Sequence, residues 1–521
     1  MELQIRVLIG LEIHVQVATR SKMFCGCAVE FGAGPNSRTC PVCLGMPGAL
    51  PVMNRQALEL AVRTALALNC KIARHTKWDR KSYYYPDLPK NYQISQYDLP
   101  LAYEGWFEVP VSGAAQAGSL HHNQDGLAGS LPLGGQQAGS LHHKRVRIRR
   151  AHLEEDAGKN IHDVGEHTRV DLNRAGTPLL EIVTEPDLAS AEEAYTFCTE
   201  LQRLVTYLGV SQGSMQKGQM RFEPNVNVVI DHDGREFRTP IAEIKNLNSF
   251  RSVRDAIRFE VTRQVAEWQL DHDYVVKQRP NENRGWDDVR GVTEFQRGKE
   301  AAHDYRYFPD PDLVPVDFDD AYLDAIRARL PELPLARKAR LMGAYALSSG
   351  DADLIVSDCA TADLFEGVIR LGGEPRKVTS LFIGPWAADA NQRGVSIGQL
   401  GLLQEHAAEL VRMWQANELS ATSAIAIATE MARTNQPPRQ IAEMRNLLMV
   451  QDADKTVRWV EEAMASHPQA VQDALHNPKK AKASAGFLRG AVMKLSGGKA
   501  DPKLVGELIE KKLASRGADQ V

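Results

Sequence analysis

At 521 residues the chain has room for two to four domains, and its 43% hydrophobic and 25% charged residues are ordinary for a globular protein. A formal net charge of −4 excludes the whole chain as an electrostatic glue for nucleic acid. No apolar run is long enough for a transmembrane helix, and the opening MELQIRVLIGLEIHVQ, with no basic start and with Glu12 in its apolar part, does not read as a signal peptide. Seven cysteines, four of them clustered, suit a reduced cytoplasm and a metal site better than a disulfide framework.

The first element is a strand over Val7–Val15, with Glu12 and His14 at i, i+2 on one face. A Gly/Pro/Asn/Ser-rich loop follows, in which Cys25, Cys27, Cys40 and Cys43 have the spacing C-x-C-x12-C-x2-C. Four thiolates fill the tetrahedral shell of zinc, so a zinc held there would be structural. Asn54 caps a helix running to about Asn69. Then come Lys81, Tyr83, Tyr84, Tyr85 and Lys90, in the run KSYYYPDLPK. Three consecutive tyrosines cannot all face a core. With the neighbouring cations they form either a platform that stacks a base and holds a phosphate or a packed aromatic loop.

Residues 112–143 read as an inserted mobile loop, because QAGSLHH stands at 116–122 and again at 137–143 among Gly and Ser. Arg145–Arg149 alternates with period two, as a strand does, and Glu154, Glu155 and Asp156 follow it. These three acids read either as a solvated charged turn or as part of a site. Leu179–Val183 is an apolar strand interrupted by Glu181, a costly placement unless the acid is paired or bound to a metal. Two apolar strands thus carry acids inward, and a hard divalent cation such as Mg²⁺ gathers several oxygen ligands and accepts substrate phosphates as the rest of its shell.

Downstream, Ser190–Glu193 is a capping box for a helix stopped at Gly209. Met220–Val228 reads as a strand, and Asn248 or Ser249 starts a long helix. Arg306–Asp312 is rigid and turn-rich. The expected fold is α+β: a large N-terminal mixed-sheet domain with helices over 1–330, an all-helical domain over 331–450 and a small basic helical tail domain over 451–521. From Val471 to Val521 ten Lys and Arg stand against five Asp and Glu, with Lys479, Lys480, Lys482 and Lys499 in loop-like runs.

There is no P-loop, since the Gly-Lys pair 158–159 has neither a following Ser/Thr nor the upstream Gly. Rossmann and kinase signatures are absent as well. From the residues alone, a zinc-containing tRNA-binding module and a metal-dependent phosphohydrolase both stay open. The first would need no inward Glu12, His14 or Glu181. The tyrosines and basic tail weigh against the second.

GLEIHVQ (10–16), HLEEDAGK (152–159), DLNRAGTPLLEIVTEPD (171–187), EIKNLNSFRSVRDAI (243–257) and HDYRYFPDPDL (303–313) resemble the B subunit of the tRNA-dependent amidotransferases, over nearly the whole chain. The resemblance implies ATP-driven amidation of Glu-tRNA(Gln) or Asp-tRNA(Asn), in a heterotrimer with an amidase (A) subunit that supplies ammonia and a small C subunit. It implies a Mg²⁺ site at Glu12, His14, Glu155 and Glu181, with Glu154 as a neighbour in the catalytic set. It turns the tyrosine platform, with Lys81 and Lys90, towards the aminoacyl end of tRNA, and the tail lysines towards the tRNA body. Many sequences of that family keep the four cysteines as a zinc site. Its usual Arg-Cys-Asp-Ala-Asn reads Arg-Phe-Glu-Pro-Asn here, so Glu223 stands in place of an Asp.

Overall fold

The computed structural model describes residues 3–112, 141–162, 165, 167–299, 305–449, 453–477 and 480–518. The chain divides into two compact units, Met1–Leu333 and Pro334–Val521. The first is built on a mixed sheet flanked by helices and the second is helical, an α+β arrangement. No described helix is long and apolar enough to cross a membrane.

The sheet of the first unit contains, in chain order, β1 (Gln4–Gln16), β2 (Lys71–Ile72), β3 (Ala102–Ser112), β4 (Leu141–Glu155), β5 (Pro178–Thr184), β6 (Met220–His232), β7 (Arg235–Arg238), β8 (Ala242–Lys245), β9 (Asn281–Asp287) and β10 (Val292–Lys299). Their spatial order is β10-β9-β8-β6-β1-β5-β4-β3-β2, with β7 on β6. Only β8 and β9 run parallel among these pairs. The strand carrying Glu12 and His14 is therefore central and antiparallel to both neighbours.

Period-two alternation gives β1 two different faces. Leu11, Ile13 and Val15 are at most 1% exposed on one of them. On that side lie α2 (Ala191–Tyr207) and α3 (Phe250–Leu270), with Val265 and Trp268 of α3 packed on Val228 and Ile230 of β6. Both helices begin as read from the sequence. Ser190 accepts the Glu193 N–H, and Ser249 accepts the Ser252 N–H. A third helix, α1 (Arg55–Ala67), is capped by Asn54, whose side chain accepts from Gln56 and Ala57 N–H. The opposite face of the sheet is left for the polar residues.

Three details depart from the sequence reading. Glu154 and Glu155 are not a turn; β4 runs on through both. The segment 112–143 is strand at both ends, with Ser112 opposite Leu141, Val111 opposite His142 and Pro110 opposite His143. The rest of that segment, and Lys479, lie outside the described residues. Lys482 belongs to the helix Ala481–Leu495 rather than to a loop, while Lys480 sits just before that helix and is exposed.

The second unit has two separate hydrophobic clusters, one from Leu341 to Ala442 and one from Val460 to Ile509. In the first unit, Glu260 of α3 is fully buried. It accepts from Gln264 Nε2 at 2.9 Å and Thr293 Oγ1 at 2.8 Å, and pairs with Arg263 at 2.5 Å and Arg284 at 3.5 Å. Removing one member of such a network leaves an uncompensated charge in the interior. Glu260→Ala should lower the stability of this unit by about 3–5 kcal/mol, read from urea unfolding followed by Trp268 fluorescence; an unchanged midpoint would contradict the assignment.

Candidate active site

The strand register assembles the site. His14 lies opposite Glu181 on β5 and Arg221 on β6, and Glu181 in turn lies opposite His152 on β4. One polar row, His152–Glu181–His14–Arg221, thus crosses four strands. Glu12 opposes Glu223 in the next row, and Glu154 opposes Leu179 in the row on the other side.

His14 Nε2 is 3.7 Å from Glu12 Oε1, 3.8 Å from Glu154 Oε1 and 3.6 Å from Glu181 Oε2. His152 Nε2 is 3.8 Å from Glu154 Oε2 and 3.6 Å from Glu181 Oε2. These spacings exceed a good hydrogen bond. The Nδ1 atoms of both histidines are buried without a partner. Two sets, Glu12–His14–Glu181 and His152–Glu154–Glu181, each bring one ligand atom per residue within 4.8 Å of one another, which is the donor chemistry a hard or borderline divalent cation accepts.

The charges are strongly coupled. Burial, with Glu181 adding, pushes the Glu12 carboxyl up to about 7. Burial alone would lower His14, but the Glu181 carboxylate beside it wins and lifts the imidazole to about 9. Burial would also raise Glu181, and here His152 and His14 prevail and hold it well below the usual carboxylate range. The proton held on His14 therefore does what a metal would do: it offsets acids crowded in a low-dielectric place.

Cations ring this centre. Arg150 is 3.7 Å from Glu181 Oε1. Arg221 donates to Asp156 Oδ1 at 3.0 Å, and Gln16 donates to Asp156 Oδ2 at 3.0 Å. Lys245 holds both Glu223 and Glu243 at 2.6 Å. Lys81 Nζ is 5.0 Å from the Tyr305 ring and 5.8 Å from the Tyr83 ring. Two clefts, of about 320 and about 230 Å³, open here and share Glu12, Lys81, Glu181 and Lys245.

The tyrosine run divides. Tyr83 is partly buried in the smaller cleft, its hydroxyl donating to Gln93 Oε1 at 3.2 Å, whereas Tyr84 and Tyr85 are exposed. Tyr83 follows the first strand of the hairpin Asp79–Ser82/Tyr92–Ser95, and Arg306–Asp312 folds over that hairpin: Phe308 pairs with Arg80, and Tyr307 stacks on Tyr97 with ring centres 4.0 Å apart.

Two expectations need correction. Glu155 points to the face of β4 opposite Glu154, because neighbours in a strand alternate. It makes an ion pair with Lys90 and accepts the Ile94 N–H at 3.2 Å, and it belongs to neither metal-competent set. Lys90, expected at the aminoacyl end, is spent in that buried pair. Among the other acids of the central stretch, Glu185 and Asp187 are paired with Arg149 and Arg147. The sequence reading missed His152, Arg150, Arg221 and Lys245. His152 and Arg150 were findable, standing two and four residues before Glu154 on one strand face. Arg221 was findable as the i−2 neighbour of Glu223. Nothing local pointed to Lys245.

The four Cys Sγ atoms of the N-terminal loop also lie within 4.8 Å of one another. Lys22 is almost completely buried, and its Nζ reaches Cys43 Sγ at 3.6 Å and the Leu172 carbonyl at 3.4 Å. A buried ammonium needs an anion, and a tetrathiolate zinc centre, which carries a net negative charge, fits it.

Fold and site together define a protein with an acid–histidine centre in a mixed sheet followed by helices. Residues 7–324 match the GatB/GatE catalytic domain family, and residues 363–513 match the family described as GatB domain. The B subunit of the aspartyl/glutamyl-tRNA(Asn/Gln) amidotransferase of Nitratidesulfovibrio vulgaris (strain DP4) is 42% identical over 507 residues, 97% of this chain and 98% of that protein. The proteins of the same name from Brevibacillus brevis and Thermotoga maritima are each 41% identical, over 98% of this chain and 98% and 99% of their own lengths. The chain belongs to the family of tRNA-dependent amidotransferase B subunits.

Purified chain should carry about one zinc, and stripping it with a chelator should lower the melting temperature. Metal analysis beside a melting curve checks this; metal-free protein that melts unchanged would contradict it.

Proposed function

We propose that this chain binds misacylated Glu-tRNA(Gln), Asp-tRNA(Asn) or both, activates the side-chain carboxylate by phosphorylation from ATP, and completes amidation with ammonia from a partner amidase, in a heterotrimer with a small C subunit. The observation that carries the reading is the row of acids and imidazoles facing clefts ringed by Lys81, Arg150, Arg221 and Lys245. The names of the relatives support the choice of substrate.

In this scheme a carboxylate oxygen of the misacylated residue attacks the γ-phosphorus of ATP, and ADP leaves. Ammonia then attacks the acyl carbon and phosphate leaves. Phosphoryl transfer asks a protein for positioning and charge neutralisation more than for a covalent residue. Glu12, His14, Glu154 and Glu181 hold Mg²⁺, which when bound neutralises phosphate oxygens. Lys81 and Arg221, both lining the smaller cleft, face charge developing on the transferred group. Tyr83 forms part of the wall against which the reacting end of tRNA lies, and exposed Tyr84 and Tyr85 offer stacking faces to its bases. Lys479, Lys480, Lys482 and Lys499 give the tail positive charge for contact with the tRNA body. Zinc on Cys25, Cys27, Cys40 and Cys43 is structural, since protein fills all four positions.

Glu181→Gln or His14→Ala should abolish transfer of labelled γ-phosphate to the aminoacyl group while tRNA still binds, and glutamine hydrolysis by the partner should survive. Variants that bind tRNA and phosphorylate it at the wild-type rate would remove the centre from the mechanism.

A further inference from the structure

Glu155 and Lys90 have no place in the acid–histidine centre, yet their side chains are only 4% and 7% exposed. A buried pair in that position invites a reason. The Glu155 oxygen that pairs with Lys90 also accepts the Ile94 N–H at 3.2 Å, and the Glu155 carbonyl accepts Gln93 Nε2 at 2.7 Å. Gln93 and Ile94 are the cross-strand partners of Lys81 and Arg80 in the hairpin Asp79–Ser82/Tyr92–Ser95. Glu155 therefore pins the strand against which Lys81 is registered.

The cysteine loop leans on the same pair. Gly45, two residues after Cys43, has φ +67°, and a Cβ there would collide with Lys90 Cγ. Gly176 lies between the two features: a Cβ on it would be 3.5 Å from Cys43 Cβ and 3.5 Å from Glu155 Oε1. At Gly45, only glycine allows this approach of backbone to side chain. A continuous packed path thus runs from the Cys40–Cys43 turn through Lys90 and Glu155 to Gln93 and Ile94, and across the hairpin to Lys81.

We propose that Lys90 and Glu155 are positioning residues, a buried ion pair clamped by the cysteine loop that holds the Lys81–Tyr83 hairpin over the acid–histidine centre. The zinc loop then sets the geometry of the reacting end instead of merely stabilising the fold. This rests on the activity proposed above. A misplacement of about 1 Å far from the chemistry can lower the rate by about a hundredfold.

The test uses the assembled complex with its partner proteins and misacylated tRNA. Glu155→Gln and Lys90→Met should lower kcat of amidation by about 10- to 100-fold, with zinc retained and the half-saturating Mg²⁺ concentration unchanged. Glu154→Gln should raise that concentration. Lys90→Arg should recover most of the rate. Gly45→Ala should lower kcat with zinc still bound, since its Cβ would strike Lys90. A Glu155→Gln protein that does not fold leaves Lys90→Met, Lys90→Arg and Gly45→Ala to decide. The proposal is overturned if Glu155→Gln raises the Mg²⁺ requirement as Glu154→Gln does, or if Lys90→Met and Gly45→Ala both keep the wild-type kcat. If Glu154→Gln leaves the Mg²⁺ requirement untouched, the acid-centre reading fails, while the kcat pattern still decides the clamp.

Discussion

The strand Gln4–Gln16 has to satisfy two solvents at once. It is central, so its backbone is hydrogen-bonded to strands on both sides. One of its faces is shut against helices by Leu11, Ile13 and Val15. Glu12 and His14 have no choice but the other face, and antiparallel pairing delivers Glu181, Glu223 and Arg221 to the same place. A register slip of one residue would bury these groups under α2 and α3 and expose the apolar set. The apolar face thus fixes the polar one, and the packing energy of the sheet holds the acids together against their own repulsion. That crowding is visible in the raised Glu12 and His14 and the lowered Glu181.

The neighbouring elements extend this frame without adding acids to it. The 79–95 hairpin brings Lys81 and Tyr83, and Arg80 ties it to Asp310 at 2.7 Å, so the turn-rich 306–312 segment closes on it. On its other side Glu155 and the cysteine loop meet it. The cations near the site come from different strands and from the hairpin, so their distances are set by tertiary packing. Such a site is pre-organised by the core, which is what a reaction that relies on placement and charge needs.

Much of this was legible in the sequence where the signal was local. An acid inside LLEIV announced an inward carboxylate, and Asn54, Ser190 and Ser249 announced helix starts. Both rest on periods of two and of 3.6 that a short window contains. Which member of the Glu154–Glu155 pair faces the centre was not legible. Alternation says that they differ, but only the register against Pro178–Thr184 says which is which. Lys90 was misread for the same reason: its partner is 65 positions away. Lys245, too, is paired with Glu223 only through sheet order. The heptapeptide repeat at 116–122 and 137–143 reads as part of an insertion, yet its last residues join the β4 strand, because Leu141–His143 continue the pairing of that strand with Ala102–Ser112.

The proposed phosphoryl transfer needs a divalent cation among Glu12, His14, Glu154 and Glu181, which β1, β4 and β5 carry on one sheet face. The most direct test is a crystal of the complex soaked in Mn²⁺ with an ATP analogue and measured for anomalous scattering. The expected result is a peak bonded to oxygen or nitrogen atoms of these four side chains, with Glu155 still on Lys90. A strong peak bound to Glu155 instead, or Mn²⁺ bound to the analogue with none of the four as ligands, would contradict it.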